Sequence, residues 1–139
     1  MPRTTTTWLR ALPLFEGLSE RQLRMIAAQG QELEFGPEAT IVAEGTKAID
    51  FYVLLQGAAR VTVGGRTRRR LASGDYFGEV SVLDGGPRTA TVTAEEPVVV
   101  FRLERKAFVS VLRRNPEIAI KILAVVARRL REVEKLVGS

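Results

Sequence analysis

A short segment near the middle of the chain combines residue types that could hold a small anion. Residues 77–92 read FGEVSVLDGGPRTATV. A Gly-Glu step, a short apolar stretch and a glycine turn lead to Arg-Thr-Ala at the start of a strand pattern. The segment interrupts an otherwise β-rich region, and this indicates a specialised loop.

The chemistry of this segment suits a phosphodiester attached to a sugar. Gly78 has no Cβ and lets the backbone approach a ligand closely. Residues 80–83 can form one helical turn whose free N–H groups point at an anion. Arg88 can form a bidentate, charge-assisted pair with two phosphate oxygens. Glu79 can accept a hydrogen bond from a ribose hydroxyl, and Thr89 offers a hydroxyl and a backbone N–H.

Each of these residues also has an ordinary structural role when taken singly. An arginine on a strand is usually surface charge, a Gly-Glu step is usually a turn, and Gly85-Gly86-Pro87 alone is a loop. The combination at this spacing is what indicates a binding site.

The N-terminal zone, residues 1–30, predicts two short helices ahead of the segment. Ser19 precedes Glu20, Arg21 and Gln22, so it can cap a helix N-terminus. Apolar residues then follow at helical spacing.

The central zone, residues 31–103, predicts antiparallel strands. Glycines separate short β-branched runs at intervals of about 8–12 residues, which is typical of a sandwich or barrel. Gly64-Gly65 predicts a two-residue hairpin turn. The runs are residues 40–43, 50–55, 58–63, 66–71, 91–93 and 98–103.

The last zone, residues 104–137, predicts two helices. The first covers residues 104–114, and Asn115 is expected to cap the second, with Pro116 at its first position. An apolar stripe follows the second helix to its end. Its main positions are Ile118, Ile122, Val126, Leu130, Val133 and Val137.

Composition limits the chemistry that the chain can perform. Its 139 residues suit one domain, and it contains neither cysteine nor histidine. Disulfides, thiol nucleophiles and typical zinc or haem sites are therefore not expected, nor is enzymatic activity. The net charge of +5 suits an anionic partner or ordinary solubility. No secretory signal or membrane-length apolar run is present, so a cytoplasmic protein is expected.

The segment closely resembles the phosphate-binding cassette of cyclic nucleotide-binding domains. Phe77-Gly78-Glu79 and Arg88-Thr89-Ala90 match the family pattern, with Val92 following. The likeness extends over about residues 12–137, including the Asn115-Pro116 step. It implies an α+β fold, in which an antiparallel β-roll or jelly-roll barrel is flanked by N-terminal helices and two C-terminal helices, as one domain over residues 1–139.

The resemblance also implies a ligand, cyclic AMP or cyclic GMP, and no other cofactor or metal. Arg88 is expected on the cyclic phosphate and Glu79 on the ribose 2′-hydroxyl, while Thr89 permits cyclic GMP without choosing it. Family members often cover the base from the last helix, which points to Arg128 or Arg129, although a solvated helix face is the alternative. The expected binding residues are Phe77, Gly78, Glu79, Val80, Ser81, Arg88, Thr89, Ala90, Arg128 and Arg129.

The expected function is that of a regulatory sensor that couples ligand binding to movement or dimerisation of its last helix. Homodimerisation through that helix is expected from the likeness to the catabolite activator group. No DNA-reading helix-turn-helix follows, so binding to nucleic acid or membrane is not expected of this chain. Two alternatives stay open. One is the sensor domain of a truncated Crp-like regulator, and the other is a ligand-free interaction or dimerisation module. A charged edge that resists aggregation is the simplest reading of Arg66, Arg68, Arg69 and Arg70.

Overall fold

The computed structural model describes residues 5–47 and 50–137. Within these ranges the N-terminal helices are followed by the strands, which one short helix interrupts, and then by the C-terminal helices. The helices are α1 (Thr5–Arg10), α2 (Glu20–Gln29), α3 (Glu79–Asp84), α4 (Arg105–Arg114) and α5 (Pro116–Leu136), with a 3-10 turn at Pro13–Phe15. The strands are β1 (Gln31–Phe35), β2 (Thr40–Val42), β3 (Asp50–Gln56), β4 (Ala59–Val63), β5 (Arg66–Leu71), β6 (Tyr76–Phe77), β7 (Thr91–Ala94) and β8 (Val98–Glu104).

The strands form two four-stranded antiparallel sheets. One has the order β1-β8-β3-β6 and the other has the order β2-β7-β4-β5. Gly64 and Gly65 join β4 to β5 with φ angles of +58° and +80°. Positive φ at both central residues is what a two-residue hairpin turn requires. The predicted β-roll with helices at both ends is confirmed.

Strand β3 shows how the two cores are built, because successive side chains point to opposite faces of a strand. Phe51, Val53 and Leu55 are buried against the helices, together with Ile118 of α5. Tyr52 and Leu54 are buried on the other side, between the two sheets. One strand therefore separates the helical core from the core that lies under the cassette.

The prediction of the elements was wrong at three points. Strands β1 and β6 were not predicted, since β1 carries acidic residues at Glu32 and Glu34 and β6 is only two residues long. Asn115 does not cap α5 through its side chain. Its Nδ2 donates to the carbonyl of Val111 at 2.9 Å, and its Oδ1 accepts from Gln22 at 2.8 Å. It therefore ties α4 and α2 together, while Pro116 begins α5 as predicted.

The N-terminus of α2 was predicted correctly. Ser19 accepts a hydrogen bond from the Gln22 amide at 3.1 Å, and the Gln22 side chain accepts from the Ser19 amide at 2.8 Å. This reciprocal capping box satisfies two amides that a helix leaves without helical partners.

Helix α5 has an anchored first half and an exposed second half. Ile118 and Ile122 are buried, and the ammonium of Lys121 donates to the carbonyls of Pro13 at 2.9 Å and Glu16 at 3.1 Å. Beyond Val126 the helix leaves the core, so the predicted stripe is only partly buried. The exposed apolar residues of α5 are Ile120, Leu123, Leu130, Val133 and Leu136, with Val137 just after its end. Among residues 5–47 and 50–137, no helix is long and apolar enough to cross a membrane.

Candidate functional site

The cassette surrounds a cavity of about 120 Å³ that opens between α3, the second sheet and α5. Nine of the ten residues predicted for the site line it; the exception is Arg128. Four further residues, Val42, Val61, Arg69 and Val92, were not predicted. The lining is Val42, Val61, Arg69, Phe77, Gly78, Glu79, Val80, Ser81, Arg88, Thr89, Ala90, Val92 and Arg129.

Gly78 makes the turn from β6 into α3 possible. Its φ of +91° lies in the left-handed region that side chains disfavour. A Cβ at this position would lie 2.7 Å from both the Arg88 guanidinium and the Asp50 carbonyl oxygen. Glycine is therefore required for two reasons: the backbone has a positive φ, and a larger residue would displace the Arg88 guanidinium that packs against it.

Arg88 is a buried cation whose guanidinium is held by backbone carbonyl oxygens, with the buried carboxylate of Glu79 in the same cavity but not in a salt bridge with it. The residue is 3% exposed, and its guanidinium donates to the carbonyls of Asp50 at 2.7 Å and Gly78 at 3.3 Å. Its Nε has no hydrogen-bond partner in the described part of the chain, and no carboxylate there forms a salt bridge with it. Burial lowers the pKa of Arg88. A buried guanidinium is costly without a counter-charge, so this geometry is prepared for an anion.

The position of Arg88 is fixed through its backbone as well as its side chain. Its amide donates to the Thr46 carbonyl at 2.9 Å, and its own carbonyl accepts from Gly45 at 2.8 Å. Its guanidinium carbon lies 5.9 Å from the centroid of the Tyr52 ring, which stacks on Phe77 at 5.1 Å. Phe77 thus lines the cavity and also supports the aromatic face behind the arginine.

Glu79 and Arg129 form an ion pair at the wall of the cavity. The Glu79 side chain is 4% exposed and that of Arg129 is 42% exposed. Nη1 of Arg129 donates to Oε1 of Glu79 at 2.9 Å. Since Glu79 belongs to α3 and Arg129 belongs to the second half of α5, this pair joins the cassette to the last helix.

Arg69 of β5 lines the cavity and was not among the residues predicted for the site. Partial burial lowers its pKa, with the nearby charge of Arg129 as a second cause in the same direction. The signal was present in the strand alternation, because Arg69 lies two residues before the buried Leu71 and so shares its inner face. Arg70, on the outer face, pairs instead with Glu95 at 3.2 Å.

The remaining predicted residues divide into wall and surface positions. The hydroxyl of Ser81 donates to the Pro87 carbonyl at 3.2 Å, which ties α3 to the loop before Arg88. Val80 and Thr89 are exposed at the rim of the cavity, and Ala90 is half-buried. Arg128 is exposed and does not line the cavity, so Arg129 is the arginine of α5 that reaches the site.

A comparison with protein-family models assigns the family. The model of the cyclic nucleotide-binding domain matches residues 32–115, which is more than half of the chain and contains the whole cassette. The chain belongs to the family of cyclic nucleotide-binding domains.

Individual relatives support this assignment over nearly the whole chain. A cGMP-dependent protein kinase of Toxoplasma gondii is 36% identical over 129 residues, covering 93% of this chain and 13% of the kinase. The cyclic AMP receptor protein of Thermus thermophilus is 31% identical over 131 residues, covering 91% of this chain and 61% of the receptor. The crystal structure of the catabolite activator protein of Thermus thermophilus superposes with a TM-score of 0.81 at 31% identity, covering 91% of this chain and 62% of that one. The chain therefore spans only part of the length of each of these relatives.

Proposed function

We propose that this domain is a sensor that binds a purine cyclic nucleotide in the cavity between α3 and β5. The carrying observation is Arg88, a buried guanidinium that forms no salt bridge with a carboxylate of the described residues and whose Nε lacks a hydrogen-bond partner there. A cyclic phosphate supplies one negative charge and two exocyclic oxygens, which match the fork of a guanidinium. Gly78 brings the backbone close to the same phosphate, and residues 79–81 add first-turn amides that lack helical acceptors.

Glu79 is the proposed partner of the ribose. Its carboxylate is almost completely buried, it lines the same cavity as Arg88, and it can accept a hydrogen bond from a 2′-hydroxyl. Val42, Val61 and Val92 supply apolar wall for the purine. A cyclic nucleotide can therefore contact the arginine, the carboxylate and the apolar wall of the cavity, whereas a free phosphate would leave the apolar wall uncovered.

We further propose that the preferred nucleotide is cyclic GMP. The guanidinium of Arg69 has only donors, and the Hoogsteen edge of guanine offers two acceptors, O6 and N7. Adenine presents an amino donor in place of O6, so it would meet Arg69 with one mismatched group. The Thr89 hydroxyl at the rim is compatible with cyclic GMP, and the kinase of Toxoplasma gondii is named for cGMP, although the receptor of Thermus thermophilus is named for cyclic AMP.

Ligand entry is proposed to move Arg129 and, with it, the second half of α5. Pockets for small molecules usually measure about 300–1,000 Å³, which is well above the space left beside Arg129. The Glu79 carboxylate can accept from Arg129 and from a ribose hydroxyl together, but the small cavity volume favours displacement of Arg129 when a nucleotide enters. A displaced Arg129 can stack over the purine by a cation–π contact. The domain thereby converts occupancy into helix movement without catalysis.

Homodimerisation through α5 is a second proposal, and it rests on the exposed apolar residues of the helix. Leu123 is 62% exposed, Leu130 is 56% exposed and Val133 is 54% exposed, although the helix packs well in its first half. Pairing with a second copy would bury them. We expect Leu130→Glu to shift sedimentation from dimer to monomer, while Met25→Glu on α2 leaves it unchanged. A monomer at every concentration in the wild type would reject this proposal. Within a longer cytoplasmic regulator, the pair of helices would carry the signal onward.

The deciding experiment is isothermal titration calorimetry with cyclic GMP and cyclic AMP. The wild type should bind saturably, and Arg88→Ala should weaken binding by about 100-fold, since hydrogen bonds to charged groups contribute roughly 1.5–3 kcal/mol. Arg66→Ala removes an exposed arginine outside the cavity and serves as the matched control. Equal effects of the two variants, or no binding of either nucleotide, would contradict the proposal.

A further inference from the structure

The solvent side of α4 is a strongly basic surface that the nucleotide site does not use. Residues four apart on a helix lie next to each other, so its exposed positions form two adjacent rows. We call this surface the α4 basic face, and it consists of Arg105, Lys106, Val109, Ser110, Arg113 and Arg114. These residues border an open concavity of about 600 Å³.

The positive charge of this face is not compensated within the described chain. Helix α4 contains no acidic residue, and within residues 5–47 and 50–137 none of its four cations forms a salt bridge. The nearest acid in sequence is Glu104 at the N-cap, and its side chain makes no capping hydrogen bond. The surface therefore presents four cations to solvent together.

Helix stabilisation explains only half of this arrangement. Arg113 and Arg114 lie in the last turn, where a cation interacts favourably with the helix dipole. Arg105 and Lys106 lie in the first turn, where the dipole disfavours them. Their position is unfavourable for the isolated helix, and an external anion would compensate for it.

The face is basic at its two ends, and its centre carries no charge. Val109 is the apolar residue there, with Ser110 beside it, and both lie half-buried between the two pairs of cations. The aliphatic stems of lysine and arginine cover apolar surface while their charged ends stay in water. The concavity therefore has an apolar floor with cations at both ends.

We propose that the α4 basic face docks an acidic, amphipathic helix of a protein partner. Arg113 lies eight positions after Arg105, which corresponds to about 12 Å, or slightly more than two turns of helix. A partner helix with acidic residues on two adjacent rows and an apolar residue between them matches both the cations and the floor. A nucleic-acid backbone matches the charges but offers no apolar group for Val109.

Fluorescence anisotropy with a designed probe tests this docking on the full 139-residue chain. The probe is a labelled helical peptide with glutamates on two adjacent rows and leucines between them. It should bind saturably, and the double variant Arg105→Glu with Arg113→Glu should weaken binding by at least about tenfold. The matched control is Arg66→Glu with Arg68→Glu, which makes the same change in net charge on β5. Circular dichroism checks that both double variants fold. If Arg105→Glu with Arg113→Glu does not fold, Arg105→Gln with Arg113→Gln is used in its place.

Three outcomes would overturn the proposal. The first is no saturable binding of the leucine probe. The second is an equal loss in the two double variants, because the probe would then sense only net charge. The third is equal affinity for a peptide with serines in place of the leucines, or for oligothymidine DNA, because the apolar floor would then contribute nothing. Unchanged affinity in Arg66→Glu with Arg68→Glu supports the localised site.

Discussion

The guanidinium of Arg129 donates a 2.9 Å hydrogen bond to the carboxylate of Glu79, and so the second half of α5 is attached to the cassette. The carboxylate is 4% exposed, whereas the arginine is 42% exposed. Removing the arginine leaves a buried charge without this donor, which is more costly than breaking a surface pair. The pair thus lies between the cavity and α5, and it is the contact through which we propose that a ligand acts on the helix.

Arg129→Ala should uncouple α5 from the ligand. We expect amide hydrogen exchange over residues 126–137 to be about three- to tenfold faster than in the wild type without ligand, since one attachment of the helix is lost. Adding cyclic GMP should then change this exchange little, although the nucleotide still binds through Arg88. Arg128→Ala, one residue away and outside the cavity, should respond like the wild type. A ligand response in Arg129→Ala equal to that of the wild type would contradict the coupling.

Gly78→Ala should abolish nucleotide binding and destabilise the fold. The new Cβ meets the left-handed φ of +91° and lies 2.7 Å from the Arg88 guanidinium, so the arginine must leave its position. Gly85→Ala is the matched control, because its φ is +75° but nothing lies within 4 Å of its Cβ. Both variants should lose about 1–2 kcal/mol to backbone strain. Urea unfolding measures that common loss, and calorimetry should show binding lost only in Gly78→Ala.

Arg69→Gln should reverse the preference between the two nucleotides. A glutamine side chain has both a donor and an acceptor and can pair with N6 and N7 of adenine, whereas arginine pairs with O6 and N7 of guanine. The affinity ratio of cyclic GMP to cyclic AMP should therefore fall by about tenfold or more. Arg68→Gln, on the exposed side of β5, should leave the ratio unchanged. An equal loss of affinity for both nucleotides in Arg69→Gln would contradict base recognition, because Arg69 would then contribute only its positive charge.

Tyr76→Phe should leave the protein as stable as the wild type at pH 7, or stabilise it by up to about 1 kcal/mol. The Tyr76 hydroxyl is buried and has no hydrogen-bond partner among the described residues, so deleting it removes an unsatisfied group. Burial, and secondarily the charge of Glu79, raises the pKa of this phenol above 10.0.

The pH dependence follows from that shift. Above pH 10 the unfolded chain releases the proton while the native Tyr76 still holds it, so the free energy of unfolding falls as pH rises. Tyr52, whose pKa burial also raises, contributes in the same direction. Urea titrations at pH 7 and pH 10.5 should show a smaller fall in Tyr76→Phe than in the wild type. A marked loss of stability at pH 7 would show that the hydroxyl has a partner.

The cassette could be found from the sequence because its function depends on local order. Gly78, Glu79 and Arg88 lie within eleven positions of one another, and no tertiary contact is needed to notice their spacing. Arg69 could not be recognised in the same way, since it lies in a run with three other arginines. Arg69 is distinguished from the other arginines of β5 only by the pairing of β5 with β4 and by the inner face that it shares with Leu71.

The error at Asn115 has a similar origin. An asparagine before a proline is a common helix start, and the local pattern favours a cap. In the folded chain its side chain instead contacts Val111 and Gln22, and the latter is 93 positions away in sequence. Competition between a local and a distant hydrogen bond cannot be decided from the sequence of one helix.

Lys121 fixes one point of α5 by donating hydrogen bonds to three carbonyl oxygens, and the rest of the helix can tilt about this point as a lever does about its pivot. The ammonium contacts the carbonyls of Pro13, Leu14 and Glu16 at 2.9–3.5 Å, so this point of the helix stays with the N-terminal segment. Leu136 lies fifteen residues further on, which is about 22 Å along the helix axis. Arg129 is roughly halfway along this arm. A tilt of about 10° would displace the arginine by about 2 Å and the far end by about 4 Å, so a small displacement of Arg129 by the proposed ligand would be doubled at the end of the helix.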